Sequence, residues 1–223
     1  MCTTPQEPSD LQTVEIPVDA VTLAAFIERP RRPRGVIIFA HGSGSGRFSP
    51  RNQYVARVLA EAGFAAVLPD LLTETEAQDR RFVFDIPLLA RRLERITDWV
   101  RTRSDLSALS IGYFGASTGA AAALVAAACT GKAVQAIVSR GGRPDLAADA
   151  LTRVTAPTLL IVGSRDQPVL ALNEHAYERL PGPKKLVIIP GATHLFEEPG
   201  ALEEVARHAL DWFNQHLPPP AAT

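Results

Sequence analysis

The feature that most restricts how this chain can fold is a series of short apolar runs separated by stretches with helical spacing. Val36–Ala40, Phe64–Leu68, Leu109–Phe114, Val134–Ser139, Pro157–Val162 and Leu186–Ile189 are mainly apolar from end to end. An unbroken apolar run suits a strand covered on both faces rather than one with a wet side. Between the runs, apolar residues recur at helix spacing: Tyr54, Val55, Val58, Leu59 and Ala62 before Gly63, then Leu88, Leu89, Leu93, Ile96, Trp99 and Val100 in a long helix from Asp85. Ala120–Ala128, Leu172–Leu180 and a last amphipathic stretch from Leu202 to Phe213 read as further helices. Strands alternating with helices in this way require βαβ units, so the fold class is α/β, a mostly parallel sheet with helices on both faces. The start differs. Leu11–Val18 and Val21–Glu28 alternate apolar and polar positions about Asp19-Ala20, which predicts an antiparallel hairpin.

Two stretches between these elements are polar. Leu71–Phe84 is irregular and is expected to arch over the sheet edge. Arg91, Arg92, Glu94, Arg95 and Asp98 fall largely opposite the apolar side of the long helix and are expected to form a solvated face.

At 223 residues the chain fits one domain, expected over 11–217, with a loosely held tail at 1–10 and a Pro-rich tail at 218–223. A net charge of −1 supplies no basic face for nucleic acid. No apolar stretch reaches the roughly 18 to 20 residues of a membrane span, because Ala120–Ala128 ends at Cys129-Thr130-Gly131-Lys132. Met1–Asp10 is polar and lacks the apolar core of a secretory signal, so a cytoplasmic location is expected. Cys2 and Cys129 make neither a disulfide framework nor a thiolate metal site, and Cys129 is expected to be a small core residue. No metal site is expected, since HExxH-type spacing is also absent.

In an open parallel sheet, ligands bind beyond the carboxyl ends of the strands, so the residues following each strand carry the chemistry. After Ala40 comes His41-Gly42-Ser43-Gly44-Ser45-Gly46, and after Phe114 comes Gly115-Ala116-Ser117-Thr118-Gly119. After Val162 comes Gly163-Ser164-Arg165-Asp166, and after Ile189 comes Pro190-Gly191-Ala192-Thr193-His194. A serine between glycines at i−2 and i+2, on a strand-to-helix turn, is the pattern of a nucleophile elbow, and Ser, Asp, His is the chain order of its triad. A serine hydroxyl attacks poorly at neutral pH unless a histidine takes its proton and a carboxylate holds that imidazole. Ser117 is therefore the candidate nucleophile, His194 the base and Asp166 the orienting acid, with Asp145 in reserve. The backbone N–H groups of Thr118 and Ser43 are the candidate oxyanion donors. His41 is expected to support the glycine loop, while His175, His208 and His216 fall on helices.

Competing uses exist for several of these residues. Asp166 could cap a turn before Pro168. Gly42, Gly44 and Gly46 follow a strand and precede a helix as in a nucleotide loop, but a dinucleotide fingerprint needs glycine where Arg47 stands. Arg140 and Arg143 are either salt-bridged surface groups or, for Arg140, a contact to an anionic substrate group.

On His41-Gly42-Ser43-Gly44, Gly115–Gly119, Gly163–Asp166 and Gly191–His194, the chain from about Val14 to Leu217 resembles the α/β-hydrolase superfamily, and within it the small, lid-less dienelactone hydrolase-like group. The resemblance implies an esterase or related acyl hydrolase that needs no cofactor and acts on a small molecule. Dienelactone hydrolases use a cysteine nucleophile where this chain has Ser117, which turns the expectation toward ordinary carboxylic esters. Lactone, amide and thioester substrates remain alternatives on the same triad, and a binding protein on a hydrolase scaffold is the alternative of another class. Little chain is left for a lid between Val138 and Pro157, so compact esters are expected, with Leu195 and Phe196 lining the pocket.

Overall fold

A computed structural model describes residues 10–219, so most of the two expected tails lies outside the described residues. Asp10 already belongs to the first strand, β1 (Asp10–Val18), which turns at Asp19 and pairs antiparallel with β2 (Val21–Arg29). The remaining elements alternate: β3 (Val36–Ala40), α1 (Pro50–Glu61), β4 (Ala65–Pro69), α2 (Glu74–Ala77), α3 (Arg80–Val83), α4 (Ile86–Thr102), β5 (Ile111–Ala116) and α5 (Thr118–Thr130). Then follow β6 (Ala136–Arg140), a 3-10 segment over Pro144–Arg153, β7 (Thr158–Gly163), α6 (Gln167–Arg179), β8 (Lys184–Ile189) and α7 (Ala201–His216).

The eight strands form one sheet in the order β1-β2-β4-β3-β5-β6-β7-β8, parallel from β4 to β8. Successive residues of a strand face opposite sides, so an apolar strand feeds two cores. Val36, Ile38 and Ala40 pack with α4 and α5, while Ile37 and Phe39 pack with α1 and α7. The Phe39 and Phe114 rings meet 4.9 Å apart beneath the carboxyl ends of β3 and β5. Fully burying each such ring contributes about 2–3 kcal/mol, so the floor under the strand ends is stiff. No helix among the described residues is long and apolar enough to cross a membrane.

Three expectations need correcting. Leu71–Phe84 is not irregular throughout, since α2 and α3 each form one turn capped by Thr73 and Asp79. Cys129 is exposed near the end of α5 rather than in the core. Arg92 does not face solvent: it lies three residues after Leu89 and four before Ile96, on the apolar stripe, and is only 5% exposed. Its guanidinium donates from Nη1 and Nη2 to the Glu76 carboxylate, both at 2.7 Å, and from Nη1 to the Leu71 carbonyl at 2.8 Å. A buried cation needs such partners, and here they tie the arch to α4.

The Arg92 guanidinium, opposed by partial burial and assisted by Thr73, holds the Glu76 carboxyl at about 2, below its ordinary 4.5. A depressed carboxyl stabilises the fold above its unfolded value and loses that contribution as pH falls through the window from about 4.5 to about 2. Glu76→Gln is expected to lose roughly 2 kcal/mol at neutral pH, because it leaves Arg92 buried without a counter-charge. Urea unfolding should show the gap from the parent narrowing as pH drops through that window. A gap unchanged by pH would mean the carboxylate charge is irrelevant.

Candidate active site

The strand order reverses between β3 and β5, since one connection from β3 leads outward to β4 and the next returns to its other side. At such a switch point the loops beyond adjacent strands diverge and leave a crevice. Ala40 and Gly115 are register partners there, which sets the glycine loop beside Ser117. Ser117 lies between β5 and α5 with φ 51° and ψ −122°, a backbone conformation an L-residue rarely adopts. The flanking glycines are needed for close approach. A Cβ on Gly119 would lie 2.1 Å from the Ala40 carbonyl oxygen, and one on Gly115 would lie 2.4 Å from Ala120 Cα. These are backbone atoms that cannot swing aside, so the turn holds its shape only with glycine at both places. The turn is pinned further by Ser117 N–H donating to the Arg140 carbonyl at 3.2 Å and Arg143 N–H donating to the Ser117 carbonyl at 3.0 Å.

Asp166 stands at the N-cap of α6, yet its side chain makes no capping hydrogen bond. Its Oδ2 accepts instead from His194 Nδ1 at 2.6 Å. His194 Nε2 lies 3.3 Å from Ser117 Oγ, within reach of the hydroxyl proton. With Nδ1–H committed to a carboxylate, Nε2 is left as the acceptor, which is the tautomer a general base needs. The two loops brace one another: Gly191 N–H donates to Ser164 Oγ at 2.7 Å, and Arg165 N–H donates to the Ala192 carbonyl at 2.9 Å. Thr193 N–H donates to both Glu198 carboxylate oxygens at 3.1 Å, fixing the residue before His194.

His41 Nδ1–H donates to the Gly42 carbonyl at 3.0 Å, and its Nε2 accepts from Leu71 N–H at 2.9 Å. Burial pushes its pKa down and keeps the ring neutral, so it serves as a bracket between the glycine loop and the arch. Ser43 N–H donates to Thr118 Oγ1 at 2.9 Å, linking that loop to the first residue of α5. The Thr118 N–H opens a helix of 13 residues, an end with a positive dipole that favours anions. The other histidines stand apart from this assembly, with His175 on α6 and His208 and His216 on α7. Asp145 is engaged by the Arg143 guanidinium at 2.7 and 2.8 Å and is not bonded to an imidazole.

Two cavities meet at Gly42, Ser43 and Ser45. One, about 290 Å³, runs under the arch along Leu72, Ala77, Val83 and Leu89, with Asp70 and Glu74 at its margin. The other, about 200 Å³, contains Ser117 and His194 together with Arg51, Arg140 and Leu195. Leu195 is among its lining residues. Phe196 is not: it is 1% exposed, with φ 56°, and packs into the core on the α1 and α7 side, its ring 6.0 Å from the Arg140 guanidinium carbon.

Several contributors went unread in the sequence. Arg51 and Ser49 of the second cavity carry no motif, because they reach it from the start of α1 rather than from a strand end. Glu198 is likewise a single loop carboxylate whose role depends on the chain folding back on Thr193. Arg92 alone had a signal, its place on the apolar stripe of α4.

A family model described as the dienelactone hydrolase family matches residues 23–217. Proteins from two strains of Mycobacterium tuberculosis, which carry the provisional name phosphoribosyl transferase, are 58% identical over 206 residues. That match covers 92% of this chain, which spans only 46% of the length of those relatives. Among solved structures, the dienelactone hydrolase from Anabaena variabilis is 54% identical, with a TM-score of 0.92, over 95% of this chain and 100% of that one. An α/β serine hydrolase homologue from Coxiella burnetii shares the fold with a TM-score of 0.76 at 20% identity, over 90% of this chain and 96% of that one.

Proposed function

The chain belongs to the dienelactone hydrolase family, and from that premise we propose that it is a serine hydrolase cleaving small carboxylic esters through an acyl-enzyme on Ser117. The observation that carries this reading is the unbroken hydrogen-bond run from Ser117 Oγ through the His194 ring to Asp166, at 3.3 and 2.6 Å.

In the first half of the reaction, His194 Nε2 takes the Ser117 proton as Oγ attacks the ester carbonyl, and Asp166 stabilises the imidazolium that forms. The carbonyl oxygen becomes an oxyanion, for which the N–H groups of Thr118 and Ser43 are the donors. In the resting arrangement Ser43 N–H is held by the Thr118 hydroxyl. The oxyanion replaces that neutral acceptor by a charged one, and charge-assisted hydrogen bonds are about twice as strong. The gain therefore appears only as charge develops, which is the condition for lowering a barrier rather than tightening ground-state binding. His194 then returns its proton to the leaving alkoxide, and water activated at the same nitrogen hydrolyses the acyl-enzyme.

The combined volume of the two cavities favours a compact ester, and Leu195 offers it an apolar edge. Lactone, thioester and amide substrates use the same acyl step. The location we assign is the cytoplasm, with a small molecule as substrate and no cofactor. The transferase name of the Mycobacterium tuberculosis relatives applies to proteins of which this chain spans 46%, whereas the residues assembled around Ser117 support hydrolysis.

A fluorophosphonate probe followed by peptide mass spectrometry tests the nucleophile, with the adduct expected on the peptide containing Ser117. p-Nitrophenyl acetate should be turned over faster than the laurate ester. An adduct elsewhere sinks the mechanism, and a preference for laurate sinks the compact-substrate reading.

A further inference from the structure

Three threonines are buried among the described residues, Thr97, Thr118 and Thr158, and two of them spend their hydroxyl protons on backbone. Thr97 Oγ1–H donates to the Leu93 carbonyl at 2.8 Å, and Thr158 Oγ1–H to the Ala156 carbonyl at 2.9 Å. Thr118 differs. Its Oγ1 accepts, from Ser43 N–H at 2.9 Å, and its own proton goes to no group among the described residues. The residue is 3% exposed and lines the arch cavity beside the glycine loop. A buried hydroxyl proton ordinarily has an acceptor. Position explains why this one has none in the resting chain. Thr118 opens α5, so the carbonyl four residues back, which a threonine inside a helix would use, belongs to Phe114 of β5 and lies outside the helix.

The placement is that of the oxyanion donors. Oγ1 is hydrogen-bonded to Ser43 N–H and belongs to the same residue as Thr118 N–H, the two backbone groups assigned above to the negative oxygen. The glycine loop presses on the nucleophile here: a Cβ on Gly42 would lie 2.9 Å from Ser117 Cβ, so Ser43, the next residue, is held over the same strand end. An oxygen that accepts from Ser43 N–H therefore lies within reach of the Thr118 hydroxyl as well. Only the hydroxyl hydrogen has to turn about the Cβ–Oγ1 bond, because the oxygen is already in place. Once an oxyanion takes Ser43 N–H, Oγ1 loses a donor and gains an anion to donate to, and an O–H bonded to an anion is among the stronger hydrogen bonds. A valine here would fill the same volume and could neither accept nor donate.

We propose that the Thr118 hydroxyl is a third oxyanion donor and so a catalytic group, turning from acceptor of Ser43 N–H in the resting site to donor toward the negative oxygen during attack. This rests on the serine hydrolase reading above. Because the turn follows the appearance of charge, it stabilises the tetrahedral intermediates of both acylation and deacylation and leaves the binding of the neutral ester unchanged. Its loss therefore lowers kcat whichever half-reaction limits turnover, and spares KM.

In Thr118→Val, kcat on p-nitrophenyl acetate is expected to fall about a hundredfold, the usual effect of removing one oxyanion donor, with KM within about threefold of the parent. Thr118→Ser keeps the hydroxyl and is expected to hold kcat within about fivefold of the parent. A displaced glycine loop would give a different result, because Gly42, Ser43 and Ser45 line both cavities and their movement shifts KM. A second readout uses 1,1,1-trifluorobutan-2-one as inhibitor. Ser117 Oγ bonds to its carbonyl carbon, the carbonyl π pair moves to the oxygen, and the serine proton passes to His194 Nε2. The adduct holds the oxyanion without turning over, so its Ki should weaken in Thr118→Val by about the same hundredfold. Should Thr118→Val fail to fold by circular dichroism, Thr118→Ala, a better helix former, is expected to show the same paired losses in kcat and Ki. A kcat unchanged or raised in Thr118→Val overturns the proposal, since the hydroxyl would then be a resting partner of Ser43 N–H and nothing more. So does an equal loss in the valine and serine variants, which marks packing, or a loss carried by KM. Fluorophosphonate labelling keeps the two readings separable: a parent enzyme unlabelled at Ser117 sinks the hydrolase reading, while a labelled parent whose kcat is indifferent to Thr118→Val sinks this one alone.

Discussion

Ser117→Ala is expected to lower kcat on p-nitrophenyl acetate by about ten-thousandfold or more, the scale seen when the nucleophile of a serine triad is removed. Fluorophosphonate labelling should vanish with it. The fold should survive, because alanine can take the φ of 51° at little more strain than serine. The bonds that pin the turn also come from backbone: Ser117 N–H to Arg140 and Arg143 N–H to the Ser117 carbonyl. A urea midpoint within about 0.5 kcal/mol of the parent is the expected control. Residual turnover within tenfold of the parent would place the nucleophile elsewhere and with it the whole mechanism.

Asp166→Asn is expected to cost about ten-thousandfold in kcat, for a different reason. Asparagine keeps the size of the side chain but can offer its N–H₂ to His194 Nδ1, which reverses the tautomer and leaves Nε2 protonated and unable to accept from Ser117. Because the Asp166 side chain caps nothing in α6, stability should change little, so a large kinetic loss cannot be charged to unfolding. A loss of less than tenfold would point to a second carboxylate. Asp145 is poorly suited to supply it, being gripped at two oxygens by Arg143.

The strands were legible because parallel strands buried on both faces must be apolar throughout, and the structure keeps Val36–Ala40 as read. Edges were less so. Lys184 and Lys185 begin β8 two residues before the apolar run, because the last strand of a sheet can expose polar side chains. The arch failed for a related reason, since α2 and α3 are single turns held by caps and by Arg92 rather than by an apolar stripe. Near the strand ends, chain order and local spacing indicated Ser117, Asp166 and His194, and the structure brings those side chains together. The same reasoning placed Phe196 in the pocket wall, where a left-handed backbone instead turns the ring into the core.

What the amino-acid sequence determined by itself is therefore local: which runs must be buried strands, where the glycine-flanked turn lies, and which ionisable residues follow strand ends. These follow from side-chain volume and backbone freedom over a few residues. The tertiary structure alone decided what depends on distant segments meeting. It turned the Asp166 carboxylate from its own helix toward His194, seated Arg92 on Glu76, and left Arg140 buried beside Ser117 with Arg51 for a neighbour. Such pairings set the electrostatics of the crevice, because charge interactions depend on distance and burial rather than on separation along the chain.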